Sequence, residues 1–219
     1  ANLQGEAKEK YRALCKELSL LTLQFSENNL KETNDYKLVI TDKSQLAGLP
    51  ESAVEAAAET AGEKGVEGWV FTLQAPSYGP FLTYADSRDL RRELYMAYNT
   101  KCTHDNASNN LEIVKKLANV RMEIAQLLGY DNFAEYNLQE RMAQNSESVY
   151  KLLDQLLEAY TPTAKQEYAE VQALARQAEG EDFVVMPWDW AYYSHKLKDR
   201  KFNIDDELLR PYFELNNVK

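Results

Sequence analysis

The residues best suited to chemistry in this chain lie in its last third, in the segment Met186-Pro187-Trp188-Asp189-Trp190-Ala191-Tyr192-Tyr193. Because proline suits the first turn of a helix, a helix is predicted to begin at Pro187. Two sets of side chains then lie on adjacent faces of that helix: Trp188, Tyr192 and His195, and Asp189, Tyr193 and Lys196. Rings, hydroxyl groups and a carboxylate on one surface are typical of the wall of a peptide or sugar groove. The alternative is that the rings are core anchors and that Asp189 accepts a hydrogen bond from a nearby tyrosine.

Histidine and cysteine, two of the side chains that bind zinc, are few in this sequence. His104 lies in a polar loop and His195 is isolated, and neither belongs to a His-Glu-x-x-His pair. Cys15 and Cys102 are too few for a disulfide framework, and Cys15 falls on an apolar helical stripe, so buried free thiols are predicted rather than a bridge. The sequence also contains no glycine-rich phosphate loop and no Gly-x-Ser-x-Gly motif. The motifs therefore predict no catalytic residue and no metal ligand in this chain.

Charge and the length of the apolar runs each argue against one class of partner. The net charge of the chain is -10, which opposes binding to the polyanionic backbone of a nucleic acid. No apolar run approaches the ~18 residues that a membrane-spanning helix needs, so no membrane contact is predicted. The first ten residues have no signal-peptide core. These features predict a cytoplasmic protein, or a periplasmic one if a leader has been removed.

Composition and spacing predict a mainly α-helical bundle with a small antiparallel β element near residues 36–85. Glycine and proline number 8 and 6, and residues that favour helices, such as Ala, Leu, Glu and Lys, recur throughout. Apolar residues three or four apart predict one long helix from Leu3 to about residues 30–34. Three short β-rich runs, at residues 36–40, 68–74 and 81–84, predict the strands of the small sheet.

The rest of the chain is predicted to be helical almost throughout. One helix over residues 111–128 is expected to end at Gly129, because glycine readily adopts the left-handed conformation that ends helices. A shorter helix is expected over residues 133–142. Asn145 or Ser146 then caps the longest helix, since both side chains accept hydrogen bonds from the free N–H groups of a first turn.

The longest helix is predicted to bend at Pro162 and to end at Gly180. No internal repeat and no low-complexity tract interrupts the pattern. Residues 1–219 are therefore predicted to form a single helical unit, with a weak boundary at residues 178–183.

Eight short motifs, taken in order, resemble one family of enzymes. They are Phe25-Ser26-Glu27-Asn28-Asn29-Leu30, Leu46-Ala47-Gly48-Leu49-Pro50, Phe71-Thr72-Leu73-Gln74 with Pro76-Ser77, Arg88-x-Leu90-Arg91 with Leu94-Tyr95, Asp105-Asn106, Leu127-Leu128-Gly129-Tyr130 with Ala134-Glu135-Tyr136, Trp188-Asp189-x-x-Tyr192-Tyr193, and Pro211-Tyr212-Phe213. The series is similar to the M3 zinc oligopeptidases, of the peptidyl-dipeptidase and oligopeptidase A type. The resemblance runs from about Tyr11 to the end of the chain.

The resemblance implies a helical, two-lobed, zincin-like peptidase whose deep channel admits short peptides. It also implies a zinc ion held by the two histidines of His-Glu-x-x-His and a later glutamate, and this sequence contains no such motif. The chain is therefore expected to be a non-catalytic fragment that lies upstream of the metal site. The fragment is expected to bind no zinc itself, and its expected partner is the missing C-terminal catalytic region. Self-association through uncovered apolar surface around Trp188, Tyr192 and Phe213 is expected.

The resemblance suggests that six residues lie near the peptide channel: Trp188, Asp189, Tyr192, Tyr193, Tyr212 and Phe213. Packing against the missing catalytic region is an equal alternative for these residues. A competing hypothesis is a stand-alone helical module that binds peptides or other partners without enzymatic activity. In that case the aromatic helix would itself be the binding site.

Overall fold

The structure is a computed structural model that describes residues 3–202 and residue 212. Within these residues the chain is mainly α-helical, as the sequence predicts. The helices are α1 Gly5–Asp35, α2 Glu51–Glu63, α3 Ala75–Tyr84, α4 Arg88–Asn99, α5 Leu111–Leu127, α6 Phe133–Leu138, α7 Ser146–Glu179 and α8 Pro187–Phe202. The strands are β1 Leu38–Ile40 and β2 Trp69–Phe71, and a short 3₁₀ helix covers Lys43–Leu46.

The chain divides into two compact units. The first contains the described residues up to 36 and residues 98–164, and the second contains residues 37–97 and the described residues from 165 onward. Helices α4 and α7 each run from one unit into the other. The loop that follows α7 belongs wholly to the second unit, and the weak boundary at residues 178–183 stays a prediction.

The first unit is organised around the contact between α1 and α5. Leu14 of α1 packs with Val120 and Ile124 of α5, because both helices carry apolar residues three or four apart on one face. Helix α5 ends where the sequence predicts. Gly129 has a φ of +85°, and the N–H of the next residue, Tyr130, donates to the carbonyl of Ala125 in α5 at 2.9 Å.

The N-terminus of α7 is capped as the sequence predicts. The Asn145 side chain accepts a hydrogen bond from the N–H of Ser148 at 2.8 Å. Pro162 lies inside α7 without ending it, and the helix continues to Glu179, immediately before Gly180. Helix α6 is shorter than predicted, because the chain forms tight turns after Leu138. In these turns the N–H groups of Arg141 and Gln144 bond the carbonyls three residues earlier.

The second unit holds the two-stranded sheet. Strands β1 and β2 are antiparallel, with Leu38 opposite Phe71 and Ile40 opposite Trp69. The backbone at Gly68 lies very close to the backbone of Ile40. Gly68 has a φ of +99°, and a Cβ atom there would lie 2.2 Å from the carbonyl oxygen of Ile40. Only glycine fits such a position without a backbone shift.

The prediction of a third strand at residues 81–84 is wrong, because these residues form the last turns of α3. Proline in the first turn of this segment starts a helix rather than a turn between strands. Phe81 is fully buried, and its ring meets the ring of Phe71 edge-on at 4.6 Å. A short apolar run fits a buried helix as well as a strand, and here tertiary packing decides for the helix.

Candidate functional site

The carboxylate of Asp189, in the first turn of α8, has many hydrogen-bond partners in the second unit. It is fully buried and receives two guanidinium groups. Arg88 Nη2 donates to Oδ2 at 2.7 Å, and Arg88 Nε lies 3.1 Å from each oxygen. Arg91 Nη2 donates to Oδ1 at 2.9 Å, and the backbone N–H of Met186 donates to Oδ2 at 3.1 Å. We call Arg88, Arg91 and Asp189 the arginine–aspartate cluster.

Local helix geometry explains how the cluster forms. Arg88 and Arg91 are three residues apart in α4, so their side chains leave the same face of that helix. Asp189 lies where the helix dipole of α8 stabilises a negative charge. One carboxylate at a helix N-terminus therefore meets two cations from one helix face.

Arg91 is the buried member of the arginine pair, with 1% of its surface exposed. Its Nη1 atom donates to the carbonyl oxygens of Ala85 and Asp86 at 2.7 and 3.1 Å, and its Nε atom donates to that of Trp188 at 3.3 Å. Burial of a charge is costly unless the charge is paired and hydrogen-bonded, and Arg91 satisfies both conditions. Its side chain thereby joins the end of α3 to the start of α8.

Tyr192 extends the cluster along α8. Its ring lies under the Arg91 guanidinium, 4.0 Å from ring centre to Cζ, and its hydroxyl donates to Asp86 Oδ1 at 2.6 Å. The ammonium group of Lys196 donates to the same hydroxyl oxygen. Burial raises the pKa of Tyr192 above its usual range, and the hydrogen bond to Asp86 raises it further. This hydroxyl therefore stays a protonated donor.

Tyr193 makes the equivalent bond on the neighbouring face. Its hydroxyl donates to Glu179 Oε1 at 2.7 Å, and its ring packs edge-on against Phe183 at 5.6 Å. Burial first, and then the hydrogen bond to Glu179, raises the pKa of Tyr193. The side chain of Gln172 holds the adjacent loop by bonding the carbonyl of Phe183 and the N–H of Val185. Tyr193 thus ties α8 to the end of α7.

The structure corrects two expectations about this helix. Asp189 does not accept a hydrogen bond from a tyrosine, because arginine donors occupy its oxygens. Tyr192 is not a source of exposed apolar surface, since only 6% of it is exposed. Trp190 of α8, by contrast, is 40% exposed and stacks on Tyr168 with the ring centres 6.1 Å apart.

The other candidate residues have diverse surroundings. The ring of Trp188 is half-buried and meets Tyr95 edge-on at 6.1 Å. Tyr212 is 74% exposed, and Phe213 lies outside the described residues. Of the six candidates, the structure thus joins Asp189 and Tyr192 through Arg91, with Tyr193 beside them.

Sequence reasoning missed the partners of Asp189. Arg88 and Arg91 occur in the motifs that carry the family resemblance, but no role could be attached to them there. The available signal was their spacing of three residues, which places both cations on one helix face. Asp86, the acceptor for Tyr192, carried no such signal.

The histidines have separate, local contacts. His195 Nε2 lies 3.0 Å from Asp199 Oδ2, and its ring packs edge-on against Tyr84 at 4.6 Å. His104 Nε2 lies 3.4 Å from Thr100 Oγ1. Across residues 3–202 and 212, no three His, Cys, Asp or Glu side chains are grouped so that they could hold a metal ion. Both cysteines are free thiols, and Cys102 is buried as predicted, but Cys15 is only partly buried.

A separate polar cluster lies in the first unit, at Glu32 of α1. Its carboxylate accepts hydrogen bonds from the backbone N–H of Cys102 and, at 2.8 Å, from the side chain of Asn106. Burial opposes its ionisation, but these two hydrogen bonds outweigh burial and lower the pKa of Glu32. Cys102 has a φ of +59°, and the bond to Glu32 fixes this unusual turn.

No helix in the described part of the chain is long and apolar enough to cross a membrane.

Comparison with known proteins places these residues in a family. The profile of Peptidase family M3 matches residues 81–219, more than half of the chain. The chain belongs to peptidase family M3. All members of the arginine–aspartate cluster lie within the matched region.

Several M3 relatives align with almost the whole chain. Oligopeptidase A of Escherichia coli is 38% identical over 220 residues, which cover 99% of this chain and 32% of that protein. The probable cytosolic oligopeptidase A of Arabidopsis thaliana is 35% identical over 99% of this chain and 32% of its own length. Dipeptidyl carboxypeptidase of Escherichia coli is 33% identical over 100% of this chain and 32% of its length. The chain thus spans about a third of these M3 relatives.

Proposed function

We propose that this chain is a non-catalytic part of a longer zinc metallopeptidase that hydrolyses short peptides, as an oligopeptidase or a peptidyl-dipeptidase. The observation that carries the proposal is the alignment of 99% of the chain with a third of oligopeptidase A. The proposed substrates are short peptides, which the longer protein would bind in a channel. A cytoplasmic location is part of the same proposal.

The residues that the structure describes do not form a catalytic zinc site. Such a site needs three protein ligands that converge on one ion, together with an open position for water. His104 bonds within its own loop, and His195 bonds Asp199 one turn along the same helix. The zinc ligands and the base that activates water would therefore be residues outside this chain.

The proposed role of this chain in the peptidase is to position α8 beside the channel. The arginine–aspartate cluster and the two tyrosine hydroxyls hold α8 through buried polar contacts. The candidates for contact with substrate remain Trp188, Asp189, Tyr192, Tyr193, Tyr212 and Phe213. Removal of one such hydroxyl, by Tyr192→Phe in the longer protein, is expected to cost ~0.5–1.5 kcal/mol in kcat/KM if it bonds substrate.

Peptide hydrolysis tests the proposal. Fluorogenic peptides of about ten residues are incubated with the chain and with the longer protein, each with added zinc. Hydrolysis is expected from the longer protein only, and a chelator is expected to abolish it. Hydrolysis by the chain alone would contradict the proposal. The proposal would also be contradicted if the chain bound peptide tightly and the longer protein were inactive. The last result would favour the stand-alone binding module.

A further inference from the structure

The longest helix of the structure exposes a continuous apolar face in the first unit. Six large side chains between residues 150 and 160 are 40% to 67% exposed. They are Tyr150, Leu152, Leu153, Leu156, Leu157 and Tyr160, and we call them the α7 apolar face. Soluble monomers rarely expose contiguous apolar patches larger than a few hundred Å². A face of six large side chains on one helix is therefore expected to have a partner.

The width of the α7 apolar face indicates the kind of partner. At about 100° per residue, the six side chains lie within an arc of roughly 160° of the helix circumference. Leu152 lies at one edge of this arc and Tyr150 at the other. The charged residues of the same turns, Lys151, Asp154 and Glu158, point to the opposite side. Pairing of two helices in a coiled coil uses a narrower apolar seam flanked by charged residues. A broad, uncharged face instead suits a helix that is packed against several neighbours in a larger core.

We propose that the α7 apolar face is an intramolecular packing surface, covered by residues of the same polypeptide that lie outside this chain. The inference rests on the proposed function, because the chain covers only 32% of the length of oligopeptidase A. A protein of that length carries about two further chain lengths of polypeptide, which is ample to cover the face. The occupant is thus an apolar surface of the longer protein rather than a second copy or a peptide substrate.

Cysteine labelling tests this assignment directly. Leu153→Cys and Leu157→Cys place thiols on the α7 apolar face, and Gln155→Cys places a matched thiol on the opposite side of the same helix. Maleimide labelling rates are measured residue by residue with mass spectrometry, so that Cys15 and Cys102 serve as internal references. Each variant is made both in the chain and in the longer protein. Circular dichroism checks that each one is folded.

In the chain, all three introduced thiols are expected to react at similar rates at low protein concentration. In the longer protein, the thiols at 153 and 157 are expected to react at least about tenfold more slowly than the thiol at 155, because burial excludes the reagent. Equal rates in the longer protein would overturn the inference. If the thiols at 153 and 157 of the chain react more slowly as the protein concentration rises, the face would be assigned to a second copy. That result would also overturn the inference.

Peptidase activity is measured on the same samples to separate the two proposals. A longer protein that hydrolyses peptides but labels at 153 and 157 as fast as at 155 overturns the packing assignment and leaves the proposed function intact. A longer protein that protects these positions but hydrolyses no peptide supports the packing assignment and contradicts the proposed function.

Discussion

Arg91 and Asp189 form an ion pair with both partners buried, Nη2 to Oδ1 at 2.9 Å, and their side chains are 1% and 0% exposed. A buried pair of this kind adds little stability compared with apolar residues, but removal of one partner leaves an uncompensated charge. The buried pair of Arg91 and Asp189 is therefore expected to fix the geometry of α8 and to be intolerant of single substitutions.

Asp189→Asn tests this expectation. The substitution keeps the size of the side chain but removes the charge that compensates Arg91, and it is expected to lower the free energy of unfolding by ~3–5 kcal/mol. Asp182→Asn, at an exposed position in the loop before α8, serves as the control and is expected to stay within about 0.5 kcal/mol. Urea unfolding measures both. A loss for Asp189→Asn no larger than that of the control would show that the pair does not hold the fold.

The two arginines are expected to differ. Arg91→Lys cannot reproduce the fork of bonds to Asp189, Ala85 and Asp86, so it is expected to cost more than ~2 kcal/mol of unfolding free energy. The Arg88 side chain is 42% exposed, so Arg88→Lys is expected to cost ~1 kcal/mol or less. Thermal and urea unfolding of the two variants compare them side by side. The reverse order of stability would contradict the role assigned to Arg91.

Alkaline pH is expected to destabilise the second unit through Tyr192 and Tyr193. Both pKa values are raised in the folded state by burial and then by hydrogen bonds to carboxylates, whereas an unfolded tyrosine titrates near pH 10. Above pH ~10 the unfolded chain releases protons that the folded chain retains, so stability is fully present below this pH and falls as pH rises. The slope is up to about 1.4 kcal/mol per pH unit for each tyrosine.

The measurement is the unfolding free energy between pH 8 and pH ~11.5. The double variant Tyr192→Phe with Tyr193→Phe is expected to show a flatter decline than the unsubstituted chain. Tyr150→Phe, at a position that is 65% exposed, is the control and is expected to leave the slope unchanged. A double variant with the same slope as the control would show that these hydroxyls do not keep their protons.

Acidic pH is expected to act on the first unit through Glu32. Its pKa is lowered in the folded state, because hydrogen bonds from Cys102 and Asn106 outweigh the effect of burial. The stability that it contributes is present above the unfolded pKa of ~4.3 and is lost as pH falls through the lower folded value. Glu32→Gln is expected to cost ~1–2 kcal/mol near pH 7 and progressively less below pH ~4.

Urea unfolding at pH 7, 5, 4 and 3 measures this difference. The control is Glu17→Gln, at an exposed position on the same helix, which is expected to show no such pH dependence. A cost for Glu32→Gln that stays constant down to pH 3 would contradict the lowered pKa.

The sequence predicts local structure well where a single residue type determines the backbone. Gly129 ends α5 and Asn145 caps α7, and in both cases the physical cause acts within a few residues. The run at residues 81–84 was predicted wrongly, because whether a short apolar run forms strand or helix depends on what packs against it. Phe71 supplies that contact from a different segment.

The candidate site was predicted only in part for the same reason. Helical spacing places Asp189 and Tyr192 together in one helix; Asp189 belongs to the arginine–aspartate cluster, and the ring of Tyr192 contacts Arg91 of that cluster. Their partners Arg91 and Asp86 lie about a hundred residues earlier in the chain, at a separation that local periodicity cannot connect. The sequence could show that a buried carboxylate needs a donor, but the fold determines which donor reaches it.

Zinc content is the most direct measure of how this chain relates to the catalytic activity of the family. The chain and the longer protein are each dialysed against trace zinc and analysed by inductively coupled plasma mass spectrometry. The longer protein is expected to retain about one zinc ion per molecule. The chain is expected to retain far less than one, because among its described residues neither histidine belongs to a group of three possible zinc ligands. About one zinc ion per molecule of the chain alone would contradict its assignment as a non-catalytic part of the peptidase and would make His104 and His195 candidate ligands.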